Sequence, residues 1–179
     1  MFQGIQNFDV TVLDFILKYG HNAWLDRIMP AITWLGNMGL IWIAVSVMLL
    51  INKRHRKTGI LVLASLIIAT TLGEGIIKSW VQRPRPFADI PVYKLLISKP
   101  LTYSFPSGHT ASSFAATGIL WRDFRKYRGY ILVGASLIAF SRLYLYVHYP
   151  SDIIGGIALG LFCSWIVRML GKKIPILKE

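Results

Sequence analysis

Cysteine and acidic residues are scarce in this chain of 179 residues, and both shortages restrict what it can be. The single cysteine, Cys163, cannot form a disulfide within the chain, and its place in an apolar run indicates a small packing residue. The 8 Asp and Glu residues form no cluster of the kind that holds a divalent cation. We therefore predict no metal site and no cofactor. Residues 1–7 also lack the basic start of a signal peptide, so none is expected.

Hydrophobic residues are abundant, and their arrangement indicates a membrane protein. They make up 54% of the chain, and the mean hydropathy is +0.52. They fall in runs that approach or exceed the ~20 residues needed to cross the core of a bilayer. The formal net charge of +12 would suggest nucleic acid as the partner of a soluble chain. Here the basic residues lie in loops between apolar runs, which favours contact with the lipid bilayer and predicts no nucleic-acid partner.

The apolar runs predict an all-α fold, a polytopic helical bundle that forms one membrane-embedded domain over residues 1–179. Five spans are expected, at residues 28–51, 58–80, 107–121, 129–147 and 152–170. Residues 5–19 instead place apolar side chains at helical spacing among Asp9, Asp14 and Lys18. That pattern favours an amphipathic helix lying in the membrane interface, with a short sixth span as the alternative.

The basic loops predict the orientation of the bundle. Clusters at residues 53–57, 122–128 and 168–178 are separated from one another by two predicted spans, so they share one face, which the positive-inside rule makes cytoplasmic. The loops at 81–106 and 147–151 then lie on the outer face. Cations in the first of these loops outnumber its one acid, Asp89; they are Arg83, Arg85, Lys94 and Lys99. Because these cations run against the orientation rule, we expect an anionic ligand there.

Two segments near this loop carry groups suited to phosphate. Lys78 and Arg85 flank the end of the second predicted span, where an ammonium and a planar guanidinium can hold phosphate oxygens; snorkelling of single cations is the alternative. Pro106-Ser107-Gly108-His109 opens the third span, and the unpaired N–H groups of a helix start favour an anion. An ordinary capped helix start is the alternative here. His109 can also give or take a proton near neutral pH.

The third segment lies between the fourth and fifth predicted spans. Arg142 falls within an apolar run, where an unpaired charge is costly, so it is expected to face either an anion or a nearby acid, of which the anion is favoured. His148 and Asp152 are four residues apart at the start of a helix. The carboxylate can then fix the tautomer of the imidazole and leave its other nitrogen free to attack.

The three segments bring three cations, two histidines, a serine hydroxyl and helix-start amides to one face, which suits phosphoryl transfer through a covalent histidine intermediate. Together they resemble the type-2 phosphatidic-acid phosphatase superfamily of membrane lipid phosphatases. That family has the pattern K-x6-R-P, P-S-G-H and S-R-x5-H-x3-D, and every spacing is met here. The matching residues are Lys78, Arg85, Pro86, Pro106, Ser107, Gly108, His109, Ser141, Arg142, His148 and Asp152. They define a motif-bearing core over residues 78–152.

The resemblance implies a role for each residue. His148 would be the nucleophile that forms a phosphohistidine, and Asp152 would orient it. His109 would protonate the leaving group and then activate water. The phosphoryl oxygens would be held by the remaining residues of the motifs, namely Lys78, Arg85, Ser107, the Gly108 amide and Arg142.

The expected function is that of a multi-pass phosphatase in a bacterial cytoplasmic (inner) membrane, with its active site facing the outside. Undecaprenyl pyrophosphate is the favoured lipid substrate, with phosphatidic acid, phosphatidylglycerol phosphate and a lipid A phosphate as alternatives. No protein partner is predicted. Vanadate-dependent haloperoxidases are similar in these motifs but are soluble. A protein that only binds or transports an anionic lipid would leave both histidines unexplained.

Glu74 and Lys78 are also spaced four residues apart on the second predicted span. This spacing leads to the hypothesis that Glu74 holds the Lys78 ammonium until phosphate arrives.

Overall fold

The computed structural model describes residues 2–89 and 95–172, apart from the side chains of Phe2 and Asp89. Every regular element in these two ranges is a helix, which confirms the all-α prediction. In chain order the α-helices are α1 (Phe2–Phe15), α2 (Ala23–Leu35), α3 (Leu40–Ile51), α4 (Arg56–Thr70), α5 (Lys78–Val81), α6 (Pro86–Asp89), α7 (Gly108–Asp123), α8 (Arg128–Tyr144) and α9 (Pro150–Gly171). Lys94 and residues 173–179, which contribute to the predicted charge pattern, lie outside the described residues.

The first predicted span is not one continuous helix, contrary to expectation. Helices α2 and α3 meet at 48° across the short 3₁₀ turn Asn37–Gly39. The break has a local cause, since Met38 and Gly39 both adopt left-handed backbone angles, with φ of 50° and 72°. A left-handed residue ends an α-helix, and glycine takes this conformation without a steric penalty. The break turns Asn37 toward the start of α7.

The second predicted span contains a wide turn in place of regular α-helix. Helix α4 continues through the π-helical segment Thr71–Ile77 into α5, which ends where Gln82 adopts a φ of 50°. A π-helical turn shifts the direction of the side chains that follow, and such turns occur often at functional sites. Here it carries Glu74, and Lys78 follows it directly.

Helix α7 lies in the centre of the bundle, where it packs against α4, α8 and α9. Its buried side chains are mostly small, so the neighbouring helices approach closely. The approach is closest along α9, where a Cβ on Gly160 would collide with the backbone of Ala111 and Ala115. Polar contacts add to this packing, since the Trp42 indole donates to the Ser113 hydroxyl over 2.9 Å.

Large apolar side chains cover much of the outer surface, as expected for a protein surrounded by lipid. Within the described ranges, the stretches Lys53–Ala88 and Pro150–Gly171 are long and apolar enough to cross a bilayer, and the bent pair α2 and α3 makes a third if it counts as one span. The predicted number of five spans is not confirmed by this criterion.

Residues 2–15 form a helix, but its polar face does not point only to water. Asp9 and Leu13 on α1 are fully buried, while Phe8 and Phe15 are exposed. The helix packs against the start of α9. The expectation of an interfacial amphipathic helix therefore misses the acidic residue that α1 directs into the protein.

The close packing of α7 and α9 predicts that Gly160→Ala destabilises the protein. The added methyl group would overlap backbone atoms that cannot move aside, which costs about 1–3 kcal/mol. The measurement is the apparent Tm in detergent. The matched control is Gly134→Ala on α8, where no atom lies within 4 Å of the added Cβ. Equal Tm values for the two variants would contradict this account of the packing.

Candidate active site

One cavity of about 560 Å³ gathers most of the predicted site residues. It lies at the end of the bundle where α7 begins and α5 ends. The predicted residues on its wall are Lys78, Arg85, Gly108, His109, Arg142 and His148. Ser107 and Asp152 are fully buried and lie behind this wall. The three segments, which are far apart in sequence, thus converge on a single space.

His148 lies between a carboxylate and a guanidinium. Its Nδ1 is 3.3 Å from Oδ2 of Asp152, and its Nε2 is 3.1 Å from Nη1 of Arg85. Because a guanidinium can only donate, Nε2 is the accepting nitrogen and the ring proton belongs on Nδ1, toward the carboxylate. The predicted orientation of His148 by Asp152 is therefore present in the geometry, with the unprotonated nitrogen beside the cavity.

Asp152 is fixed by further donors. The Tyr149 N–H and the Ser104 hydroxyl donate to its Oδ2 over 2.9 and 2.5 Å. The N–H contact is local, because Asp152 occupies the third position of α9 and reaches back to cap its first turn. The Ser104 contact joins two distant parts of the chain, and no spacing in the sequence predicts it.

Burial keeps His148 neutral. Its side chain lies in the loop between α8 and α9 and is almost fully enclosed. Burial lowers the pKa of His148 to about 3, and the hydrogen bond to Asp152 offsets only part of that change. At neutral pH Nε2 is therefore unprotonated, and its electron pair, which accepts from Arg85, is the pair that a nucleophile requires.

The guanidinium groups of Arg85 and Arg142 are directed by neutral oxygen atoms. Arg85 donates to the carbonyl oxygens of Thr102 and Val147 over 2.7 and 2.8 Å. Arg142 donates to the Thr33 hydroxyl over 2.5 Å, and its Nε has no hydrogen-bond partner in the part of the chain that the structure describes. Neither forms an ion pair with a carboxylate among the side chains that the structure describes. Their charges remain available to an anion in the cavity, and the acidic partner considered for Arg142 is not found there.

The start of α7 brings His109 to the cavity. Ser107 caps the helix, and its hydroxyl oxygen accepts from the Thr110 N–H over 3.4 Å and from the Thr110 hydroxyl over 3.0 Å. The side chain of Ser107 thus holds the helix start rather than facing the cavity. His109 Nε2 lies 2.9 Å from the Asn37 amide oxygen, a contact that the break between α2 and α3 makes possible.

Glu74 pairs with Lys78, as the sequence spacing predicts. Its Oε1 is 2.7 Å from Lys78 Nζ, which also donates to the Thr102 hydroxyl over 3.1 Å. The carboxylate also lies directly over Gly108, because a Cβ added there would collide with Oε1. Glu74 therefore lies on the cavity wall beside the start of α7.

The Arg83 side chain does not line the cavity, contrary to the expectation that the cations of its loop face an anionic ligand. It forms ion pairs with Asp9 of α1 and with Asp152, over 2.7 and 2.8 Å. Sequence reasoning missed both contacts because Asp9 lies 74 residues and Asp152 lies 69 residues from Arg83, each in a separate helix. The only signal was an acidic residue within a mostly apolar helix.

A histidine that contacts a carboxylate, beside two guanidinium groups without a carboxylate partner in the described residues, suits phosphoryl transfer. The chain belongs to the PAP2 superfamily, which it matches over residues 58–175. It is 36% identical to an undecaprenyl-diphosphatase of Sulfolobus acidocaldarius over 179 aligned residues, which cover 98% of this chain and 85% of the relative.

Solved structures share the fold. A PAP2-type phosphatidylglycerolphosphate phosphatase from Bacillus subtilis has 25% identity and a TM-score of 0.77, covering 96% of this chain and 88% of that one. A bacterial vanadium-dependent iodoperoxidase, at 17% identity and a TM-score of 0.66, covers 94% of this chain and 48% of its own, and shows likeness of fold alone. The protein is a PAP2-type membrane lipid phosphatase.

The position of Glu74 predicts that Glu74→Gln strengthens inhibition by inorganic phosphate. A half-exposed carboxylate near an incoming dianion opposes binding by ~1 kcal/mol, which is about fivefold in affinity. The measurement is the inhibition constant of phosphate, with Glu74→Asp as the control that retains the charge. If both the inhibition constant and kcat were unchanged, the hypothesis that Glu74 holds the Lys78 ammonium until phosphate binds would be ruled out.

Proposed function

We propose that the protein hydrolyses a lipid pyrophosphate in the outer leaflet through a phosphohistidine intermediate, with undecaprenyl pyrophosphate as its substrate. The observation that carries the mechanism is the neutral His148, whose Nε2 lies beside the cavity while Asp152 accepts from Nδ1. The substrate follows from the relative named undecaprenyl-diphosphatase. Phosphatidic acid, phosphatidylglycerol phosphate and a lipid A phosphate are the alternatives.

In the first step Nε2 of His148 attacks phosphorus, a P–N bond forms and the P–O bond to the leaving group breaks. His109 donates its proton to the departing oxygen, and a bound phosphate dianion favours the protonated form of His109 that this requires. The charge on the phosphoryl oxygens is balanced by the phosphate-binding residues Lys78, Arg85 and Arg142.

In the second step His109, now neutral, accepts a proton from water as the water oxygen attacks the phosphohistidine. The P–N bond breaks, inorganic phosphate leaves and His148 returns to its neutral state. Asp152 stabilises the positive charge that the ring of His148 carries in the intermediate. Ser107 contributes by capping α7, and the Gly108 amide contributes a donor at the helix start. No step requires a metal ion or a cofactor.

A second opening beside the cavity supports a lipid substrate. It shares Asn37, His109, Arg142 and Pro100 with the main cavity, and much of its wall is apolar. The apolar part is formed by Pro30, Trp34, Leu95, Leu96, Ile97 and Pro100. A phosphate in the cavity can thus remain attached to a hydrocarbon chain that leaves between α2 and residues 95–100. This groove suits prenyl and acyl chains alike, so the reaction rates must decide among the lipids.

We also propose that the chain forms one domain with five spans in a bacterial cytoplasmic membrane, and that the cavity faces outward. The basic segments 53–57 and 122–128 lie at the end of the bundle away from the cavity, which supports this orientation through the positive-inside rule. The partners are then the bilayer and the lipid substrate alone.

The proposed orientation predicts opposite labelling of two cysteine variants. Leu101 is 99% exposed next to the cavity, and Arg54 is exposed in the opposite basic loop. A membrane-impermeant maleimide is expected to label Leu101→Cys in intact cells and Arg54→Cys only after permeabilisation. The buried Cys163 provides little background. The reverse pattern would place the active site in the cytoplasm.

The proposed reaction predicts phosphate release by the detergent-purified protein in EDTA. We expect undecaprenyl pyrophosphate to be hydrolysed fastest in a panel that also holds phosphatidic acid, phosphatidylglycerol phosphate and a lipid A phosphate. His148→Ala is expected to reduce the rate by a factor of about 10³ or more, because the nucleophile is lost.

Acid-labile labelling of the protein by a ³²P-substrate, lost in His148→Ala, would identify the phosphohistidine. A faster rate with another lipid would change the substrate but keep the mechanism. Release that needs a divalent cation, or that survives in His148→Ala, would contradict the mechanism. No release from any lipid by folded protein would favour a lipid-binding role.

A further inference from the structure

A half-buried guanidinium bridges two carboxylates beneath the candidate active site. Arg83 Nη2 donates to Oδ2 of Asp9 over 2.7 Å, and Arg83 Nη1 donates to Oδ1 of Asp152 over 2.8 Å. Both carboxylates are fully buried. One arginine therefore connects helix α1 to the aspartate that pairs with His148.

The bridge is held in place from several sides. The Gln6 amide oxygen accepts from Nη2 of Arg83 over 2.8 Å, and the Ser151 hydroxyl accepts from Nη1 over 2.6 Å. Ser151 also donates to Asp9 through its hydroxyl and its N–H, over 2.5 and 2.9 Å. The guanidinium stacks on the Tyr149 ring at 4.0 Å. This planar fork fits both carboxylates at once, which a lysine cannot do.

We propose that Asp9 and Arg83 are positioning residues for the reaction, and that α1 belongs to the support of the active site. The inference rests on the proposed roles of His148 and Asp152. Asp152 presents Oδ2 to His148 and Oδ1 to Arg83. Holding one oxygen fixes the plane of the carboxylate and thereby the direction of the other.

The charges in this network explain why the second aspartate is needed. Arg83 alone would neutralise Asp152 and weaken its attraction for a positively charged His148 ring. Asp9 balances Arg83, so the three groups together keep one negative charge next to His148. Asp9 and Arg83 do not line the cavity, so they act through Asp152 and not on the substrate.

The test compares two identical substitutions on the same helix. Asp9→Asn removes the charge that balances Arg83 and places an amide N–H₂ against its donors. Asp14→Asn is the matched control, because Asp14 is exposed, accepts from the Tyr146 hydroxyl over 3.4 Å and takes no part in the contacts that Arg83 makes in the described residues. With the fastest lipid of the panel, we expect kcat to fall by about tenfold or more in Asp9→Asn, with KM unchanged, and to stay unchanged in Asp14→Asn.

A double substitution separates positioning from a general loss of structure. If Asp9 acts through Asp152, Asp9→Asn should add little to the loss already caused by Asp152→Asn, because the two substitutions then affect one unit. If the fold-loss in kcat of the double variant equalled the product of the two single fold-losses, the proposal would be overturned. A wild-type kcat in Asp9→Asn, or a change confined to KM, would also overturn it.

Arg83→Lys provides a second variant if Asp9→Asn lowers the Tm in detergent. It retains the positive charge but loses the planar fork, and the same fall in kcat at constant KM is expected. A wild-type kcat would count against the proposal.

His148→Ala, measured in parallel, separates a failure of the histidine mechanism from a failure of the positioning role. Activity in His148→Ala would overturn both the histidine mechanism and the positioning role. An inactive His148→Ala beside a fully active Asp9→Asn would overturn the positioning role alone.

Discussion

The burial of the Asp152 carboxylate is the constraint on which the active site depends. A buried charge is costly unless donors surround it, and Asp152 has four of them. They are the Arg83 guanidinium, the Ser104 hydroxyl, the Tyr149 N–H and the His148 ring. These donors come from the loop after α5, the loop before α7 and the loop that leads into α9. Satisfying one carboxylate therefore brings together the parts of the chain that carry the catalytic groups.

The cavity itself has the opposite balance of charge. Arg85 and Arg142 are directed by hydroxyl and carbonyl oxygens, which fix the direction of a guanidinium without neutralising it. Among the three cations proposed to bind phosphate, only Lys78 pairs with an acid of the described residues, Glu74 at the edge of the cavity. The positive charge of the cavity is thus available to an anion. The net negative charge of Asp9, Arg83 and Asp152 below the cavity favours positive charge on the His148 ring.

Two irregular helices make this geometry possible. The left-handed residue Met38 breaks the chain between α2 and α3 so that Asn37 reaches His109, and the π-helical turn before Lys78 brings Glu74 over Gly108. Regular helices would point these side chains elsewhere, because each residue of an α-helix advances by a fixed rotation. The hydrophobic pattern predicts the helices but not these departures, since a turn of different width keeps the same apolar composition.

The sequence by itself determined the class of fold, the family and the residues of the three motifs. Helix formation and pairing at four-residue spacing are local, so His148 with Asp152 and Glu74 with Lys78 were predictable from spacing alone. Only the tertiary structure decided that Arg83 turns away from the cavity. Its partner Asp9 lies 74 residues earlier, and a contact over that distance depends on how the helices pack, which no local pattern encodes.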